Sequence, residues 1–140
     1  MKYVLFCLVA FILTQSCTKK AAPAVAPVVD ATDTARDKLI YTGMFTSTPG
    51  EMVTGKSDIY LDGATYNLVL DSFSTTPGPD LHVYLSAGSV PDLFIDLGKL
   101  RSDTGTQVYA IPGKPDFSVF THVLVHCVQY NHIFGISELE

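Results

Sequence analysis

The sequence predicts an all-β fold, a small antiparallel β-sandwich or barrel that follows a signal peptide and a flexible tether. Three observations carry this. From Leu39 onward apolar residues recur mostly at every second position, the spacing that puts them on one face of a strand. β-Branched and aromatic residues fill these runs, and clusters of Gly, Pro, Asp and Asn separate them. No stretch past Lys38 carries a long helical period.

The strands follow in order. Ile40–Thr46 is the first, ended by Thr48-Pro49-Gly50. Val53–Leu61 is the second, and Asp62-Gly63 turns it tightly into Ala64–Phe73, because that dipeptide accepts the positive φ of a hairpin turn. Thr76-Pro77-Gly78-Pro79-Asp80 breaks the chain before Leu81–Ser86. In that strand alternation sets His82 and Tyr84 on one face and Leu81, Val83 and Leu85 on the other. Phe94–Leu97 and Gln107–Ile111 are shorter. His122–Tyr130 and Ile133–Leu139 close the chain, with Asn131 near the turn. Strand order does not follow from this pattern.

Ahead of the domain, residues 1–16 read as a signal peptide. Lys2 opens it, an apolar run extends from Tyr3 to Leu13, and small Ser16 precedes Cys17. The run is shorter than the roughly 20 apolar residues that a membrane-spanning helix needs. Leu13-Thr14-Gln15-Ser16-Cys17 resembles a lipobox, the bacterial motif at which a lipoprotein signal is cut and the new N-terminal cysteine acylated. Leu13 stands one position early, and Gln15 fills a place commonly held by a smaller or β-branched residue. The expectation is therefore lipid on Cys17, with plain secretion and a retained anchor as alternatives. Several acyl chains, palmitate among them, would hold the protein stably to a membrane where one chain is marginal. Thr18 is not the Asp that commonly retains lipoproteins at the inner membrane, so the outer membrane is favoured in a cell with two. Residues 17–38 read as a tether of small residues with Pro23 and Pro27, extended and without an aromatic to bury. Residues 39–140 are the folded domain.

Charge narrows the function. From Lys38 on there are eleven Asp and Glu against five Lys and Arg, a balance of −6. A nucleic-acid partner needs a basic footprint, and this domain has none.

Candidate chemistry centres on Cys127. Cys7 leaves with the signal and Cys17 takes the lipid, so Cys127 stands unpaired in a compartment that usually pairs thiols. Its alternation with Val123 and Val125 turns it inward. By position it reads first as a buried thiol packing like a small apolar side chain. The alternatives are a redox thiol, or a thiolate ligand to haem or another metal centre. His126 points to the opposite face of the same strand, so the two cannot share one ion. His122 and His126 share a face but lie about 13 Å apart along an extended chain, too far for one metal. His82 and His132 would have to be brought in by the fold, and no metal site is assigned. Asp58, Asp62, Asp71 and Asp80 could offer oxygen ligands to calcium, but no loop has the ligand spacing of a calcium loop, and most of them read as turn and strand-end residues. No Gly-x-Ser-x-Gly setting or phosphate-binding glycine loop appears, which argues against a hydrolase.

The order of motifs carries a resemblance. Tyr41-Thr42-Gly43-Met44-Phe45, Val53–Tyr60 and Leu68–Phe73 come first. Gly78-Pro79-Asp80 leading into Leu81–Leu85, Gly105–Pro112, His126-Cys127-Val128 and Phe134-Gly135 follow. This succession resembles the electron-transfer DM13 domain, a small extracellular β-domain often found beside DOMON domains, over about residues 39–140. The resemblance implies a redox role for Cys127, as a bare thiol or as the holder of a group such as haem. It places His126 where the family commonly has Trp, so His126 becomes a weak candidate to tune or bind at that site. The leading expectation is an envelope redox module with an unknown redox or protein partner. The rival is an envelope binding or interaction module in which Cys127 is only core.

Overall fold

The computed structural model describes residues 26–30 and 37–140. The signal peptide, Cys17 and most of the tether lie outside the described residues. Among the described residues nine strands form: β1 Val28–Val29, β2 Lys38–Ser47, β3 Val53–Asp62, β4 Thr65–Thr75, β5 Leu81–Ser86, β6 Phe94–Lys99, β7 Thr104–Ile111, β8 His122–Cys127 and β9 His132–Glu138. Among the described residues there is no helix. The fold is all-β.

The strands join in one sheet of order β1-β7-β4-β3-β2-β9-β8-β5-β6, antiparallel except for β1 beside β7. β2 is the strand on which the sheet changes direction. Its Lys38–Met44 portion pairs with β3, and Phe45–Ser47 pairs with β9. The sheet thereby curls into a half-barrel, and β6 comes against β7 on its open side.

Side chains that alternate inward fill the space between the two halves. Ile59, Leu68, Leu70 and Phe73 face Leu81, Val83, Leu85, Val123, Val125 and Cys127 in one apolar cluster. Every expected strand is present, and Leu81–Ser86 has the expected bounds. Gly63, at φ +58°, makes the β3–β4 hairpin, where Asp62 pairs with Thr65. Two departures have local causes. The strand expected over His122–Tyr130 ends at Cys127, because a turn at Val128–Asn131 reverses the chain with Asn131 at φ +48°. Within the stretch expected as tether, Val28 and Val29 pair with Gly105 and Thr106. Of the four aspartates weighed as turn or strand-end residues, two sit inside strands: Asp58 in β3, where Thr42 Oγ1 donates to its carboxylate, and Asp71 in β4, where it pairs with Lys56 across the hairpin.

Candidate functional site

Cys127 ends β8, with Leu81 of β5 on one side in register and His132 of β9 on the other. Its neighbours Val123 and Val125 point the same way, so Cys127 joins the apolar cluster and is 0% exposed. Among the described residues it is the free cysteine. The loop before β5 is fastened beside it: Val128 N donates to Asp80 O at 2.9 Å, and Leu100 N to Leu81 O at 2.8 Å. Gly78 is required by this closure. A Cβ there would lie 2.6 Å from Leu81 Cδ2 and 3.0 Å from Phe134 Cζ. Gly78-Pro79-Asp80, which lies about fifty residues earlier in the chain, therefore meets His126-Cys127 and Phe134-Gly135 at one end of the half-barrel.

The outer face of the same strands carries a second group. His126, one residue from the thiol, turns away from it as alternation requires. It lies directly across from His82 in the β5–β8 register. His126 is 5% exposed, its ring lies 5.1 Å from the Tyr84 ring, and its Nε2 is 3.1 Å from Asn131 Oδ1. Its Nδ1 is buried and has no hydrogen-bond partner among the described residues. Tyr84 stacks on Phe94 of β6 at 4.2 Å and 17°. Burial first, then the carboxylates of Asp96 and Asp80, pushes the Tyr84 phenol above its ordinary value.

His82 continues this face. Its Nδ1 is 2.9 Å from Asp96 Oδ2, and its Nε2 is 3.6 Å from Asp80 Oδ1. Lys99 Nζ lies 2.7 Å from the same Asp80 oxygen, and this bond foremost holds the Asp80 carboxyl below its usual range. A depressed carboxyl contributes stability above its unfolded value, and that contribution is lost as pH falls through the folded one. Thermal midpoints of the parent should therefore drop more steeply below about pH 4 than those of Lys99→Met. The step is small, because Lys99 is exposed and water screens the pair.

The other two histidines go elsewhere. His122 Nδ1 is 2.8 Å from Thr121 Oγ1, and its side chain lines a shallow groove with Thr42, Met44 and Glu138. His132 Nε2 is 3.4 Å from Glu51 Oε1. Among the described residues no three His, Cys, Asp or Glu are grouped to hold a metal ion. The pairing of His82 with His126, and the Tyr84–Phe94 stack beside it, were not foreseen from sequence. The alternation that set His82 and Tyr84 on the face opposite the core was the available signal.

A haem held by Cys127 would need an open face beside its sulfur. The sulfur instead lies inside a closed apolar core, and the residues packed there do not fit a haem. They fit a bare thiol.

No curated protein and no solved structure matches this chain. A family model described as Electron transfer DM13 matches residues 44–139. That span runs from the middle of β2 to just past β9 and holds Cys127, the Gly78-Pro79-Asp80 loop and the whole outer-face group. The chain belongs to the electron-transfer DM13 family.

Proposed function

We propose that this chain is a lipid-anchored protein of the cell envelope, held by acyl chains on Cys17, whose β domain does redox work through the bare thiol of Cys127. The observation that carries the reading is the convergence of the family's separated motifs on this one free thiol. The partner is of the disulfide class. Its S–S bond breaks as Cys127 sulfur bonds to one of its sulfurs, and the other leaves as a thiol with the proton that Cys127 gives up. Access requires a local opening, and Leu81 with Gly78 is the part of the wall that would move.

A second reading has its own observation. Cys127 is fully enclosed by apolar neighbours, as a purely structural thiol would be. In that case the domain is an envelope binding module.

The test traps mixed disulfides in the native envelope by acid quenching and alkylation, with mass analysis of the N-terminal fragment for acyl chains on Cys17. The expected result is a mixed disulfide on Cys127 that is absent from a folded Cys127→Ser protein. If Cys127 carries no adduct and Cys127→Ser keeps every partner of the parent, the binding module is right. A visible spectrum of the membrane-purified protein adds a second discriminator. A haem band that shifts on reduction and vanishes in Cys127→Ala would overturn the bare thiol.

A further inference from the structure

Val28 and Val29 form a parallel edge strand on β7, and the contacts around them are specific. Asp30 N donates to Thr106 O at 2.9 Å. The Asp30 carboxylate accepts from Val108 N at 2.8 Å and pairs with the Arg101 guanidinium. Arg101 is itself set by Val108 O at 3.2 Å and by the Tyr109 ring, 5.3 Å away. Ser102 Oγ donates to Ala26 O at 3.2 Å. Gly105 leaves room for this approach: at φ +110°, a Cβ on it would lie 1.9 Å from Val28 O. The edge thus offers a ladder for an extended segment and a polar seat for one carboxylate.

The hold is light. Among the described residues two pair in register, Val29 remains 81% exposed, and the Arg101 side chain is 43% exposed, so water screens the ion pair. A segment attached by so few buried contacts opens at low free energy while the core stays folded. The segment also lies before residue 44, where the family match begins.

We propose that the β7 edge is a docking site for an extended segment of two apolar residues followed by aspartate. Its occupant is the chain's own Ala26–Asp30 strap, which docks and releases in the folded protein. The site works by β-strand addition, in which main-chain bonds give affinity and one side-chain seat gives specificity. Resting on the lipid-anchor reading, the strap also sets reach. Docked, it leaves the eight residues 18–25 between Cys17 and the domain; released, it leaves the twenty residues 18–37. At full extension these span at most ~28 Å and ~70 Å.

Hydrogen exchange by NMR tests docking on the full chain carrying Cys17→Ala, which takes no lipid. Asp30→Pro removes the donor and the carboxylate together. The Val108 amide should then exchange at least tenfold faster, with Val83 and Val125 unchanged. Excess acetyl-Ala-Pro-Val-Val-Asp-amide should restore protection, and the same peptide ending in Lys should not. Unchanged Val108 exchange in Asp30→Pro would overturn docking. An Asp30 amide as slow as Val125 in the chain without Asp30→Pro would overturn release. Reach is read separately on lipidated protein in vesicles, as the distance from a dye on the domain to the bilayer. Asp30→Pro should lengthen it, and an unchanged distance overturns the reach control. Failure of the protein to join vesicles sinks the lipid anchor and leaves the docking result standing.

Discussion

Leu81→Ala is expected to cost roughly 2–5 kcal/mol of stability and to make Cys127 reactive toward a small thiol reagent in the folded protein. Leu81 is buried in the shared core, pairs in register with Cys127 and fills the space over Gly78 beside Phe134. Truncating it removes apolar burial and leaves a hole against the wall of the thiol's enclosure. The cost depends on how far Phe134 and the Gly78 loop settle into that hole. The fold should survive, because the two backbone bonds that fasten the loop, Val128 N to Asp80 O and Leu100 N to Leu81 O, need no side chain. Denaturant unfolding gives the first number, and maleimide labelling against time gives the second. If labelling stays as slow as in the parent despite the loss of stability, then Leu81 is not the way in. The redox reading would then need another opening. Leu124→Ala serves as a control: Leu124 is also buried but lies outside the core cluster, so it should destabilise without exposing the thiol.

The inward turn of Cys127 was legible because it rests on a local rule. Val123, Val125 and Cys127 alternate within one strand, and a two-residue period needs no partner to be read. The same rule separated Leu81, Val83 and Leu85 from His82 and Tyr84. What it could not supply was the pairing of strands. His82 meets His126 because β5 lies beside β8, forty-four positions away, in one particular register. Tyr84 reaches Phe94 across another pairing, and a register shift between Val83 and Tyr84 further alters that alignment. The curl of the sheet depends on β2 exchanging β3 for β9 between Met44 and Phe45, a change of neighbour that leaves no mark on β2's own sequence. The strap is the extreme case. Val28-Val29 looks like any small-residue spacer, and its strand exists because Gly105 leaves space and Arg101, seventy-one positions on, holds Asp30.

Gln107→Leu should be among the most damaging single changes, costing roughly 3–5 kcal/mol although it adds apolar surface to a buried site. The Gln107 side chain is 0% exposed, and both ends of its amide are used. Its Oε1 accepts from Arg101 N and Ser102 N, each at 3.2 Å, and from the Tyr109 hydroxyl at 2.9 Å. Its Nε2 donates to Ser102 O at 2.8 Å. One amide thus ties the β6–β7 connection to the sheet. Leucine is of similar size, larger by about one methylene and branched, so it adds a small packing cost while most of the loss comes from backbone groups left without partners. Arg101 N keeps a second acceptor in the Tyr109 oxygen at 3.2 Å, which holds the penalty below the sum of its parts. Gln107→Glu separates shape from hydrogen bonding: it keeps the acceptors, loses the donor to Ser102 O and buries a charge. A urea titration of both variants measures the cost. Hydrogen exchange at Ser102 and Val108 then asks whether the damage spreads to the strap, whose anchors Arg101 and Ser102 sit on the connection that Gln107 holds. Equal stability of Gln107→Leu and the parent would mean that water or a shifted loop replaces the lost bonds, and that the connection is not fixed by this side chain.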